Sequence, residues 1–217
     1  MRGLFPVDPS GRSCIPLSGI AEAAVSAEIP EGADPFMDIS IEAVIDEAFV
    51  IPCFWAGGKV FKFRYAAETL GTHHYRFRAT DGAASIPDSV GSFTVVPQRS
   101  GRTLLERGGP TLAKNGKYLV SRRTGEPFFW LADSWWFGMS GRIDEATFEI
   151  LARDRVDKGF SVIQFAIGFA CDIDPYDSRD ANAAGHIWEP NFQTINPGYF
   201  EITDRRIGTL VELGLVP

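Results

Sequence analysis

The segment 127–138, which reads PFFWLADSWWFG, constrains the fold more than any other part of the chain. Its first six residues, 127–132, form an apolar run that is too short for an ordinary helix and suits a strand buried on both faces of a parallel sheet. Asp133 follows directly, and a carboxylate at the end of a buried strand is costly unless something binds it. Ligands of β/α folds bind at the carboxyl ends of strands, so the sequence predicts a ligand site here.

The residues that follow predict a strand–helix–strand unit. Asp144 is suited to cap a helix over 144–158, whose apolar positions recur at helical spacing, and Gly159 is suited to end it. Residues 161–167 form another apolar run of strand length, which indicates a parallel pair joined by the helix. A second helix is predicted to begin at Asn196 and Pro197, and residues 215–217 resemble the start of a third strand.

The first hundred residues follow a different pattern. About six short segments alternate apolar and polar residues with period two at roughly ten-residue spacing, as in 37–45 and 59–65. This pattern is typical of an antiparallel, immunoglobulin-like β-sandwich. We therefore predict such a sandwich over residues 18–98, a linker over 99–111, and the first units of a (β/α)8 TIM barrel over 112–217. Because a barrel of this type takes about 250 residues, we expect the barrel portion to be incomplete.

Composition and motif content exclude several classes of function. The net charge of −7 argues against nucleic-acid binding through phosphate contacts, and no apolar run reaches the length of a membrane span. The three cysteines are widely spaced, and the neighbouring His73 and His74 would point to opposite faces of a strand, so we expect no metal site and no cofactor. No signal peptide is visible at the N-terminus. The sequence does not specify the oligomeric state.

Seven residues are candidates for contact with a substrate. The flat apolar face of an indole can stack on the ring of a ligand, and a carboxylate can accept hydrogen bonds from hydroxyl groups. The long irregular segment 168–195 is of a kind that is usually functional. Core packing of Trp135 and purely structural hydrogen bonding of Gln164 remain equally open. A solvated or loop-stabilising role remains equally open for the three candidates on the long segment. The acidic residues of 172–177 lack the glycine and final glutamate of a calcium-binding EF-hand loop. The candidates are Asp133, Trp135, Trp136, Gln164, Asp180, Trp188 and Glu189.

Several separated motifs resemble one family of enzymes. In order, the segments GEPFFWLADSWW, RVDKGFSVIQ, WEPNFQTINPGYF, DRRI and VELGLVP resemble the apiosidase-like glycoside hydrolases. Those proteins are TIM barrels, commonly preceded by a small immunoglobulin-like domain, which the segments DPFMDI, IPCFWAGGKVFKFRY and GSFTV resemble. The family usually has Asp-Thr at the end of the first strand; here Asp133 is followed by Ser134, which keeps the hydroxyl group.

The resemblance implies retaining hydrolysis of complex polysaccharide, of plant cell-wall type, by two carboxylates about 5 Å apart. Both family positions would lie beyond Pro217, so we expect no catalytic acid or nucleophile in this chain and expect the chain alone to be inactive. Relatives are often secreted or periplasmic. The alternative is a non-catalytic carbohydrate-binding or interaction protein. A different barrel hydrolase would need a metal triad or a serine elbow, and neither a GxSxG nor an HxxxH motif occurs.

Overall fold

The structure, a computed structural model, describes residues 4–8, 13–80, 84–98, 104–168 and 173–217. The chain divides into two compact units, one comprising Leu4–Gln98 and the other the described residues from 104 onward. Cys171 and Asp172 lie outside the described residues.

The first unit is built from two sheets. The described strands are β1 (Leu4–Pro6), β2 (Cys14–Pro16), β3 (Ile20–Ser26), β4 (Ile41–Ile45), β5 (Phe49–Pro52), β6 (Phe54–Trp55), β7 (Val60–Ala66), β8 (Gly71–Ala79) and β9 (Val90–Val96). One sheet has the order β1-β3-β7-β6 and the other the order β2-β9-β8-β4-β5. The short strands β1 and β2 lie before residue 18, where the predicted sandwich begins. Because they pair in parallel with β3 and β9, the unit extends further toward the N-terminus than predicted.

One apolar core joins the two sheets. Phe63 on β7 meets Tyr75 and Phe77 on β8, in the opposite sheet, with ring centroids 5.2 and 5.5 Å apart. The inward residues of β3 and β8 alternate with more exposed ones, as period-two patterning predicts. The unit is therefore a β-sandwich; its immunoglobulin-like character stays a prediction.

The paired histidines of β8 have separate roles. His73 is buried, with Nδ1 2.6 Å from Asp46 Oδ2 and Nε2 3.0 Å from the carbonyl oxygen of Thr69, and its ring stacks on Phe93. His74 is exposed on the other face of the strand. The buried polar ring is thus satisfied inside the sandwich.

The second unit mixes short strands with two longer helices. Its described elements are α1 (Leu104–Arg107), β10 (Pro110–Leu112), β11 (Leu119–Ser121), β12 (Ala132–Trp135), α2 (Glu145–Asp157), β13 (Val162–Phe165), a 3-10 turn (Pro190–Phe192) and α3 (Pro197–Glu212). The strands β10 and β11 form a hairpin whose turn contains Gly116 at a φ of 70°. Residues 99–103 of the predicted linker lie outside the described residues, but from 104 onward that segment contains α1 and part of β10.

A parallel strand–helix–strand unit forms the centre of this region. The strands β12 and β13 pair in parallel, with α2 between them in sequence, as predicted. Val216 forms a parallel bridge with Val162, so the chain returns beside β13 after α3. The described residues form open sheets and no closed barrel, and the (β/α)8 architecture stays a prediction.

The prediction of a buried strand over 127–132 was wrong. The strand begins at Ala132, and the side chains of Phe129 and Trp130 are 76% and 54% exposed. The backbone of this segment is used elsewhere: Pro127 bridges Val120, and Phe128 N donates to the carbonyl oxygen of Leu119. At its other end, the carbonyl oxygen of Leu131 accepts from Ser161 N at 2.9 Å, so the run connects the hairpin to the start of β13.

Helix ends follow the predicted chemistry closely. The Asp144 side chain accepts a hydrogen bond from Thr147 N at 2.7 Å, and the Asn196 side chain accepts one from Gly198 N at 3.0 Å. Both helices pack over β13 in a core formed by Met139, Phe148, Ala152, Ile163, Leu210 and Leu215. Within the described ranges, no helix combines the length and the apolar character needed to cross a membrane.

Candidate functional site

The register of β12 and β13 sorts the predicted site residues onto two faces. Ser134 is paired with Gln164, so these two side chains share one face of the sheet, and both are exposed. Asp133 is paired with the fully buried Ile163, which faces the helices. Because successive residues of a strand point to opposite faces, Asp133 and Trp135 are separated from Ser134 and Gln164.

Asp133 is held by helix α2. Its Oδ2 accepts hydrogen bonds from Arg155 Nε at 2.5 Å and from Trp135 Nε1 at 2.8 Å, and its Oδ1 accepts one from Ser134 N at 2.9 Å. The hydrogen bond from Arg155 is the largest cause that holds the pKa of this carboxyl group below its ordinary value. Asp133 therefore satisfies the expectation that a partner binds it, but the partner is a helix of the same unit.

Trp135 packs into the core of the second unit. Its ring meets the buried ring of Phe148 edge-on, with centroids 5.4 Å apart, and it borders the cluster around Ile163. Core packing, which the sequence left open for this residue, describes its position. Contact of Asp133 or Trp135 with a substrate stays a prediction that this placement does not favour.

A small cleft opens on the other face, at the carboxyl ends of the two strands. It has a volume of about 190 Å³ and is lined by Ser134, Trp136, Gln164, Phe165 and Ala166. The Trp136 side chain is 57% exposed. The cleft thus combines an accessible indole with a hydroxyl group and an amide, which can donate and accept hydrogen bonds. Ser134 is a lining residue that the sequence analysis noted but did not select.

The turn after Trp136 is held by a buried arginine on α3. Arg206 is only 3% exposed and donates to the carbonyl oxygens of Gly138, Ser140 and Ile143 at 2.8, 2.8 and 2.5 Å. Its Nε also donates to Glu145 Oε1 at 2.9 Å. Sequence analysis missed this residue, although an arginine on the apolar face of a predicted helix is itself a signal of buried hydrogen bonding.

The three candidates on the long segment lie away from the cleft lining. Asp180 is buried, Trp188 is half-buried, and Glu189 is exposed. Asp180 lies near Tyr199, whose pKa is raised to about 12 mainly by burial and secondarily by the charge of Asp180. The structure does not bring these residues together with Trp136. Among the residues whose positions are described, no three His, Cys, Asp or Glu side chains are grouped to hold a metal ion.

Comparisons with known proteins bear on the second unit. Residues 113–217, just under half of the chain, match the sequence model of the family described as apiosidase-like, catalytic domain. No match was found among curated proteins.

One solved structure covers 94% of this chain with a TM-score of 0.67 and 16% identity; it is a provisionally assigned glycoside hydrolase from Bacteroides vulgatus ATCC 8482. The chain spans 40% of the length of that protein, and identity this low shows a shared fold alone. The N-terminal domain of phage TP901-1 ORF48 aligns over 44% of this chain and 95% of its own length, with 11% identity and a TM-score of 0.26, which is too weak to support an argument. Residues 113–217 are thus similar to the apiosidase-like catalytic domain.

Proposed function

We propose that the chain is the N-terminal part of a glycoside hydrolase that acts on complex polysaccharide of plant cell-wall type. The domain organisation in this proposal is an immunoglobulin-like sandwich over 18–98, a linker over 99–111, and the first units of a (β/α)8 barrel over 112–217. The observation that carries the proposal is the cleft around Trp136, which lies at the strand ends inside the region similar to the apiosidase-like catalytic domain.

The cleft has the chemistry that a neutral sugar requires. The C–H groups on one face of a sugar ring are apolar and pack against an indole such as that of Trp136, while the ring hydroxyls both donate and accept hydrogen bonds. Ser134 and Gln164 supply both kinds of group from neighbouring strands. Fixed strands hold these side chains in register, which favours recognition of one orientation of the sugar.

The cleft residues supply binding rather than proton transfer. Retaining hydrolysis needs an acid and a nucleophile, two carboxyl groups about 5 Å apart. None of the five lining residues is acidic, and Asp133 faces the helices, where Arg155 holds it. In this proposal the two catalytic carboxylates belong to later strands, and the described cleft forms one wall of the substrate site.

A second candidate function is non-catalytic carbohydrate binding. The lack of acidic side chains among the five cleft-lining residues favours it. The two candidates share the cleft and differ only in the presence of catalytic carboxylates elsewhere. Reading the gene past the codon for Pro217 separates them: two acidic residues at later strand ends support the hydrolase, and their absence supports the binding protein.

Binding by the cleft can be tested directly. The chain would be run in native gels that contain soluble xylan, arabinan or pectin, together with Trp136→Ala, Gln164→Ala and the control Phe129→Ala, which removes an exposed ring outside the cleft. We expect at least one glycan to retard the wild type and Trp136→Ala to weaken that binding about tenfold, whereas Phe129→Ala should behave as wild type. Lack of retardation by every glycan, or an equal effect of Phe129→Ala, would overturn the proposal.

A further inference from the structure

Four aromatic rings gather on the long segment between β13 and α3. Tyr176 contacts His186 edge-on at 5.7 Å and lies against Phe192 at 5.1 Å, and Phe192 in turn contacts Trp188 at 6.3 Å. We refer to Tyr176, His186, Trp188 and Phe192 as the aromatic platform. Phe192 is its most exposed residue, at 46%, whereas the other three are half-buried.

The backbone that carries the platform is strained. Tyr176 and Phe192 have φ angles of 65° and 58°, and Asn191 has one of 65°. Bulky residues rarely adopt this left-handed region, since the side chain then crowds the backbone. Such conformations persist only where the surroundings enforce them, and they cluster at sites that bind ligands.

The hydroxyl group of Tyr176 links its own segment to the backbone on either side of Asn191. Tyr176 Oη donates to the carbonyl oxygen of Glu189 at 2.8 Å and accepts from Phe192 N at 3.0 Å. A bridge between Trp188 and Ile195 closes the base of the hairpin that carries Phe192. The Phe192 ring is therefore presented on a fixed support, so little conformational entropy is lost when a ligand packs against it.

The residues around Phe192 match a sugar in polarity. Asn191 and Gln193, on either side of it in sequence, are exposed amides that can donate and accept hydrogen bonds. A stable protein partner requires an interface of about 1,000 Å² or more, far beyond one exposed ring. A ring of that size, flanked by two neutral amides, fits one sugar unit of a glycan chain.

The segment that carries the platform follows β13 in sequence and is anchored near the cleft at one described point. The segment that carries it leaves β13 at its carboxyl end, next to Gln164 and Phe165, which line the cleft. Its middle is fixed to the turn that follows Trp136, because Gly141 N donates to the carbonyl oxygen of Ala181 at 2.7 Å. The segment that carries the platform is therefore attached beside the cleft at this point, and the dependence of binding on chain length tests whether one glycan reaches both.

We propose that Phe192 is a second sugar-binding subsite, which holds a glycan chain at a sugar unit distant from the cleft. Tyr176 and Trp188 support its ring, and the amides of Asn191 and Gln193 flank it. This inference rests on the proposed function, since it assumes a carbohydrate ligand. It adds a specific consequence: long chains engage the platform and the cleft together, and short ones reach the cleft alone.

Two binding measurements test the proposal. Native gels that contain polysaccharide report the binding of long chains, and titrations compare oligosaccharides of two to three sugar units with those of eight or more. The glycan used is whichever of xylan, arabinan and pectin retards the wild type. Phe192→Ala should weaken binding of the long chains about three- to tenfold and leave short-chain affinity unchanged. Phe192→Tyr keeps the ring and should bind as wild type, and Phe129→Ala serves as the control for loss of an exposed ring elsewhere.

The outcomes separate this proposal from the one it rests on. If wild type binds and Trp136→Ala weakens binding, but Phe192→Ala matches wild type on long chains, the platform is not a subsite and the cleft stands. If Phe192→Ala weakens short and long chains equally, or Phe192→Tyr fails as Phe192→Ala does, the ring acts on the fold and the proposal is overturned. If no glycan binds the wild type, both proposals fail.

Discussion

Replacing Arg206 with methionine should destabilise the second unit, which carries the cleft, and leave the sandwich unchanged. The guanidinium group, 3% exposed, donates to three backbone carbonyls in the turn after Trp136 and to Glu145. Methionine fills similar volume but donates no hydrogen bond, so buried carbonyls lose partners at about 1–3 kcal/mol each. The bond to Glu145, whose side chain is 55% exposed, adds little. Because methionine also removes the cost of burying a charge, we expect a loss near the lower end of that sum, about 3–5 kcal/mol in the free energy of unfolding of the second unit.

Hydrogen–deuterium exchange followed by mass spectrometry isolates that unit from the sandwich. Peptides from α2 and α3 should exchange roughly 150- to 5,000-fold faster in Arg206→Met, because each 1.4 kcal/mol corresponds to a factor of ten. Arg205→Met is the matched control. Arg205, which precedes Arg206 on α3, is itself exposed, so this substitution should change stability by less than about 0.5 kcal/mol. Equal exchange in the two variants, or a loss below about 1 kcal/mol for Arg206→Met, would refute the assignment of Arg206 as a buried clamp.

Two further predictions follow from the titrating groups. The folded-state pKa of Asp133 is lowered, chiefly by Arg155, so its stabilisation is present above the unfolded pKa of about 4 and is lost as pH falls through the folded value. Asp133→Asn should therefore lower the free energy of unfolding by about 1–2 kcal/mol near pH 7 and by progressively less toward pH 3, as measured by urea titration. A difference between the two proteins that does not change with pH would contradict the ion pair. Burial raises the pKa of the Cys53 thiol to about 12, whereas Cys14 is exposed. In a Cys171→Ser background, a maleimide at pH 8 should therefore label Cys14 and react with Cys53 only after the protein unfolds. Equal labelling rates for the two cysteines would contradict the burial of Cys53.

Patterns that depend on neighbours in sequence were read correctly. Period-two alternation identified the strands of the sandwich, and the caps at Asp144 and Asn196 identified both helices to within about one residue, because a cap bonds its own first turn. The parallel pairing of the strands around α2 was also predicted, since short connections through a helix leave few other arrangements.

Contacts between distant segments were beyond the sequence. The apolar run over 127–132 has the composition of a buried strand, yet its first residues pair with the hairpin and the side chains of Phe129 and Trp130 are exposed. The partner of Asp133 is Arg155, 22 positions along the chain, and no local pattern specifies that pairing. Arg206 likewise acts on carbonyls more than sixty positions away.

The sequence by itself determined the two longer helices, their N-terminal caps and the parallel pairing around α2, because these depend on side-chain periodicity and on bonds within a few residues. The tertiary structure decided which side chains face the cleft. Successive residues of a strand point to opposite faces of the sheet. The register of β12 against β13, together with the helices packed on one side, assigns Ser134 and Gln164 to the open face and Asp133 to the face that the helices cover. The carboxylate of Asp133 is thereby bound by helix α2, and the serine beside it lines the candidate site.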